Sequence, residues 1–157
     1  MKIVNLHKNV SLEYNEDLIL KIESLALEHY PNEFGGFLIG YYSKDLKTLV
    51  LTDVLSPKEY KSHRVLFERS AEGIKEKLLE LFKSNIKRYY VGEWHSHPDA
   101  SSMFSLSDLN AMQSIVESET IRIKNPILLI VSINIQELKN YTFYLYENNT
   151  LFEYGRK

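Results

Sequence analysis

Apolar positions follow two rhythms along this chain. In residues 15–31, "NEDLILKIESLALEHYP", Leu18, Ile22, Leu25 and His29 recur at helical spacing. Asn15 is placed to cap that helix, Glu16 and Asp17 suit its positive end, and Pro31 marks its stop. The Gly-flanked apolar stretch "NEFGGFLIGYYS" (32–43) predicts a strand, and "KTLVLTDVLS" (47–56) its hairpin partner across a "KDLK" turn. "HRVLFERS" (63–70) reads as a further strand. A second helix is expected over 70–85, capped by Ser70, with Ile74, Leu78, Leu81 and Phe82 as its buried stripe.

The second half continues the alternation. "KRYYVGEWHSH" (87–97) is rich in aromatic and β-branched residues and predicts a strand. Residues 105–118 predict a third helix with Leu109, Met112 and Ile115/Val116 inward. "PILLIVSINI" (126–135) is almost continuously apolar, which implies a strand covered on both faces. "NYTFYLYENN" and "LFEYGRK" predict a closing hairpin. Strands and helices interleave around one sheet, so the class is α/β (α+β), a mixed β-sheet flanked by helices.

No repeat, linker or low-complexity tract divides the 157 residues, and a single domain over 1–157 is expected. A formal net charge of −2 gives no case for a nucleic-acid or membrane partner. The absence of cysteine excludes disulfides, thiolate metal sites and a cysteine nucleophile. No apolar run reaches the ~20 residues of a membrane span. The start, "MKIVNLHKNV", lacks the apolar core of a signal peptide. A soluble, cytoplasmic protein is the expectation.

Chemistry concentrates in "GEWHSHPDASSMFSLSDLNAM" (92–112). In a strand, side chains alternate, so His95 and His97 face one way and Ser96 the other. Two neutral imidazoles on one face can share a metal ion. A bare His-x-His is weak support, because composition alone yields one in about a sixth of such chains. A catalytic zinc commonly takes three protein ligands and leaves a fourth position for water. With no cysteine, the third ligand must be His, Asp or Glu, and Asp108 is a candidate. The alternative for Asp108 is a capping box with Ser105, since acids are welcome at a helix start. The two roles are compatible.

The stretch resembles the signature of the JAMM/MPN metalloprotease family. That signature is His-Ser-His-Pro, six residues, Ser, two residues, Asp, and here it falls on His95, Ser96, His97, Pro98, Ser105 and Asp108. The family also has an upstream Glu-x-x-Gly-x-Leu-x-Gly block, matched in "EFGGFLIG" by Glu33, Gly36, Leu38 and Gly40. The resemblance spans roughly residues 15–135, with its specificity in the two blocks. Standing alone, Glu33 would read as a solvated surface acid.

The resemblance implies a cytidine deaminase-like fold, with a curved mixed sheet, and a Zn²⁺ ion held by His95, His97 and Asp108. It implies hydrolysis of amide bonds, with Glu33 as general base and Ser105 as donor to the oxyanion. The substrate class it implies is a ubiquitin-like modifier or its conjugate. Some small prokaryotic relatives act within anti-phage operons, and others process sulfur-carrier proteins. RadC-like relatives carry Asn between the histidines, and Ser96 separates this chain from them. A family member without metal could instead be an interaction scaffold, but every metal and catalytic position is filled here. Glu93 is a candidate for an outer hydrogen-bonding group at the site. Trp94 is expected in the core or cleft wall, and Tyr41, Tyr42 and Tyr60 are candidates for a cleft-side cluster that binds an extended tail.

Overall fold

The structure, a computed structural model, describes residues 1–155. Ten strands and three helices are found among them. Two short strands open the chain, β1 (Lys2–Asn5) and β2 (Ser11–Glu13). Helix α1 (Glu16–His29) follows, then β3 (Gly35–Tyr42) and β4 (Thr48–Leu55). A separate hairpin comprises β5 (Tyr60–His63) and β6 (Leu66–Arg69). Next come α2 (Lys75–Phe82), β7 (Tyr89–Pro98), α3 (Leu106–Glu117) and β8 (Ile127–Ile133). The last two strands are β9 (Leu138–Glu147) and β10 (Thr150–Gly155).

The sheet is mixed, as the pattern predicts, but it does not remain an open curved layer. It closes into a barrel in the order β1-β10-β9-β8-β7-β3-β4-β2. The closing pieces are β1 and β2, which the hydrophobic pattern does not reveal. β1 pairs antiparallel with both β10 and β2, and β2 pairs parallel with β4. Two edges that would otherwise lie open are joined in this way.

Alternation along β8 organises the interior. Ile127, Leu129, Val131 and Ile133 pack with the core cluster that includes Leu18, Ile22 and Ala26 of α1. Leu128 and Ile130 turn to the other face and pack with Met112 and Ile115 of α3. Every residue of β8 is buried, as its continuous apolar run predicts. Asn15 caps α1 by accepting from the Leu18 amide at 2.9 Å.

The second helix departs from its expected form. Ser70 does not cap it; its hydroxyl accepts from the Glu72 amide at 3.1 Å in a local turn. Gly73 adopts a left-handed φ of 79°, so the helix starts only at Lys75. Phe82 is exposed rather than part of the buried stripe, and Lys87 Nζ lies over its ring at 5.3 Å from the centroid. The predicted strand 63–70 is split by a turn at Arg64 and Val65 into the end of β5 and all of β6. The closing hairpin turns on Asn148 and Asn149, both with positive φ, a conformation that Asn tolerates well. Arg156 and Lys157, the end of the predicted last strand, lie outside the described residues.

One close approach fixes the seam between the parallel strands β7 and β8. A Cβ on Gly92 would sit 1.9 Å from the Ile127 carbonyl oxygen, which is backbone and cannot turn aside. Gly92→Ala is therefore expected to destabilise the fold by about 2 kcal/mol or more. Chemical denaturation of the two proteins would measure this, and equal midpoints would refute it.

Candidate metal centre and its cleft

Register brings the two sequence blocks together. β3 runs antiparallel to β7, and Gly35 pairs with His95 while Gly36 pairs with Trp94. Glu33, two residues before Gly35, is thereby delivered to the histidine end of β7. Gly36 has a steric reason to be glycine: a Cβ there would lie 2.4 Å from the Leu55 carbonyl oxygen and 3.1 Å from Trp94 Nε1. On β7, His95 pairs with Ile130 and His97 with Ser132 of β8. Paired residues share a face of a sheet, so both histidines lie on the α3 side. Trp94 and Ser96 face the other way and are fully buried, Trp94 in the main core.

Two serines hold the Glu33 segment from opposite sides. The buried Ser96 hydroxyl accepts from the Phe34 amide at 3.0 Å, and the Ser96 amide donates to the Phe34 carbonyl at 2.8 Å. From the hairpin, the Ser62 hydroxyl donates to the Glu33 carbonyl at 2.5 Å, and the Glu33 amide donates to the His63 carbonyl at 2.8 Å. The small residue between the histidines thus has a structural use that sequence reading missed. Ser62 was missed as well, and no motif signals it.

Asp108 enters from the first turn of α3. Its Oδ2 accepts from the Ser105 amide at 2.6 Å, and the Ser105 hydroxyl accepts from the Asp108 amide at 3.2 Å, a complete capping box. The other oxygen, Oδ1, lies 2.9 Å from His95 Nε2. Capping and a position at the site therefore coexist, as the sequence allowed. The loop before α3 is pinned from below. Tyr144 donates to the Ser102 carbonyl at 2.9 Å, and Asn140 donates to the Ser102 hydroxyl at 3.1 Å.

The three side chains converge on one point. His95 Nε2 and His97 Nε2 are 3.1 Å apart, and His97 Nε2 is 3.5 Å from Asp108 Oδ2. One ligand atom from each lies within 4.8 Å of the others. Tetrahedral ligands at zinc bond lengths stand about 3.3 Å apart, so the set fits such an ion. His97 Nδ1 lies 2.9 Å from the Ser101 carbonyl. That contact suits an Nδ1–H donor and leaves the Nε2 lone pair facing the convergence point.

Electrostatics agree with the geometry. Burial raises the proton affinity of Glu33 above the usual carboxylate range; His95 and His97 oppose that effect and Asp108 reinforces it. Burial also pushes Asp108 upward, but the hydrogen bonds from His95 and His97 prevail and hold it well below its ordinary value. His97 is desolvated, yet its contacts with Asp108 and Ser101 raise its pKa on balance.

These groups line a cleft of about 730 Å³ between α3 and β6. Residues 65–69 form one wall, and Val65, Leu66 and Met103 present exposed apolar side chains at the mouth. The edge of β6 away from β5 has no strand partner among the described residues. Glu93 lines the cleft but is not an outer partner of the histidines. It forms an ion pair with Arg69 and accepts from Tyr90 at 3.0 Å, fastening the hairpin to β7. The suggested tyrosine cluster does not form: Tyr60 packs against His29 and Phe34, whereas Tyr42 stacks with Tyr89.

A closed mixed barrel with a His-His-Asp cluster beside a half-buried glutamate defines a candidate metal-dependent hydrolase site. The model for the family of prokaryotic homologs of the JAB domain matches residues 15–144, and the chain belongs to that family. A protein of Enterobacter hormaechei subsp. hoffmannii (strain UCI 50), named CD-NTase/cGAS isopeptidase, is 35% identical over 114 residues, covering 72% of this chain and 62% of that protein. A protein of the same name from Escherichia coli (strain TW11681) is 31% identical over 107 residues, covering 66% of this chain and 67% of that protein. The match thus takes in less than two thirds of the first relative's length. In fold, the chain resembles a Desulfitobacterium hafniense protein solved in solution, with TM-score 0.62 and 18% identity over 90% of this chain and 88% of the other. A Salinibacter ruber solution structure matches with TM-score 0.56 and 18% identity over 92% and 88%. No helix among the described residues is long and apolar enough to cross a membrane.

Proposed function

We propose that the chain is a zinc-dependent isopeptidase that frees a ubiquitin-like modifier, or a similarly conjugated protein, from an acceptor lysine. The observation that carries this reading is the meeting of Glu33 with His95, His97 and Asp108 in one open cleft. The relatives' shared name, CD-NTase/cGAS isopeptidase, supports the bond type and suggests a nucleotidyltransferase of that class as the conjugated partner.

In this reading His95 Nε2, His97 Nε2 and an Asp108 oxygen would hold the ion. A zinc ion held there would supply Lewis acidity, of the kind that lowers the pKa of bound water towards about 7 and polarises a carbonyl. Glu33 takes the proton of the attacking water and passes it to the departing lysine amine. Its raised proton affinity suits a group that must accept and then return a proton. The Ser105 hydroxyl now donates to Asp108 at 2.8 Å. Rotated towards the cleft, it donates instead to the developing oxyanion, a contact worth about 3–4 kcal/mol in comparable sites.

The free edge of β6 suits an extended tail. A peptide added there as a strand gains main-chain hydrogen bonds and runs towards the histidines. Val65, Leu66 and Met103 offer apolar contacts to its side chains.

The test is direct. The chain, loaded with zinc, is incubated with a ubiquitin-like protein joined through its C-terminus to a lysine of a CD-NTase-class protein. Intact-mass spectrometry should show the modifier released with a free C-terminus, and a chelator should stop the release. No release across several modifier tails, despite a full complement of zinc, would sink the reading.

A further inference from the structure

A second cavity, of about 570 Å³, lies near the opposite ends of β3 and β7. Tyr42 ends β3 and Tyr89 begins β7, and both line it. His95 and His97 stand six residues or more along β7 from Tyr89, a separation of about 20 Å or more at the strand rise. The two cavities share none of their lining residues.

Its chemistry differs from that of the cleft. Lys8, Lys47, Arg122 and Lys124 surround it, and Glu147 is the one carboxylate among the lining residues. Glu147 is already ion-paired with Lys8. Lys47, Arg122 and Lys124 have no ion-pair partner among the described residues. Asp45, near Lys47, does not line the cavity and is held by the Ser43 hydroxyl at 2.6 Å. The segment 121–124 is arranged rather than random. Ile121 and Ile123 pack against the α3-side core, and the alternating Arg122 and Lys124 remain exposed.

The aromatic side chains add hydrogen-bond donors and a ring face to the same cavity. Tyr154 is mostly buried and lines the cavity, and its hydroxyl makes no hydrogen bond among the described residues. The Tyr42 hydroxyl likewise makes none. Both residues line the cavity, and neither phenol oxygen is sealed off from it, so each is free to donate to a polar ligand there. Burial pushes the Tyr42 phenol up to about 12 and raises Tyr154 as well, so both remain neutral donors at neutral pH. Tyr42 and Tyr89 stack with ring centroids 6.3 Å apart and planes 28° apart, and Tyr89 is exposed. That pair offers a planar face for another ring.

We propose that this cavity binds a nucleoside phosphate. Lys47, Arg122 and Lys124 would take the phosphate, for which three unpaired cations suit a dianion better than a single carboxylate. The Tyr42–Tyr89 face takes the base, and the phenols of Tyr42 and Tyr154 donate to its polar atoms. The volume lies in the range of small-molecule sites. The site is independent of the metal centre and of any peptidase activity.

Isothermal titration of the full chain with AMP, GMP, CMP and UMP at ~0.15 M salt tests this. At least one nucleotide should bind with submillimolar affinity, and the matching nucleoside and inorganic phosphate should each bind at least about tenfold more weakly. The double variant Lys47→Glu, Arg122→Glu changes exposed side chains and should weaken nucleotide binding at least about tenfold. Tyr154→Phe removes one donor with little change of shape and should weaken it about threefold or more; it serves also if the charge variant does not fold. Failure of all four nucleotides to bind at millimolar concentration overturns the proposal. So does unchanged binding by the folded charge variant or by Tyr154→Phe, or inorganic phosphate binding as tightly as the nucleotide.

Discussion

Glu33→Gln is expected to lower turnover by about 100-fold or more while leaving zinc content and fold nearly unchanged. Gln has almost the shape of Glu but cannot accept the water's proton. The backbone of this segment is fixed independently of the side chain, through Ser62 and His63 on one side and Ser96 on the other. The substitution should therefore remove a proton acceptor without moving the wall that bears it. Glu33 is also absent from the His95–His97–Asp108 convergence, so the ion should remain. The measurement is release of a modifier from its conjugate, followed by intact mass, for both proteins at equal zinc loading. Equal cleavage by the two would remove Glu33 from the mechanism. Binding without cleavage by either would favour a scaffold.

Much of this arrangement was legible because local rules agreed with the global fold. Asn15, the buried run of β8 and the alternation His95–Ser96–His97 each followed from pattern alone. The meeting of Glu33 with the histidines did not. It depends on the β3–β7 register, with Gly35 opposite His95, and no local pattern encodes that pairing. Only the family resemblance joined the two blocks in advance. Barrel closure was hidden for a different reason. β1 and β2 are four and three residues long, too short for an alternation to stand out, and they are strands because β10 and β4 offer them edges. At α2, Ser70 resembles a cap in sequence, but Gly73 delays the helix with a left-handed turn. The second cavity left no motif at all. Its lining comes from residues 8–11, 42–49, 89–90, 122–125, 145–147 and 154, which are far apart in sequence and meet only in the folded chain.

His97→Ala should reduce zinc affinity by well over ~100-fold, more than the loss of an outer hydrogen-bonding partner costs at such sites. The wild-type chain should carry about one zinc, since three side chains converge on one point. Removal of that zinc should nevertheless leave the fold standing. The main core draws on α1, β3, β4, β8 and β9, and none of Glu33, His95, His97 and Asp108 belongs to it. α3 keeps its own anchors in Met112 and Ile115, and Asp108 still closes its capping box without an ion. This differs from small zinc domains, in which the metal supplies the folding energy. Metal analysis of both proteins, with circular dichroism before and after chelation, makes the comparison. Equal zinc in the two proteins would overturn the ligand assignment. Collapse of the dichroism signal on chelation would mark the ion as structural, with no ligand position left for water, and the hydrolase reading would fall with it.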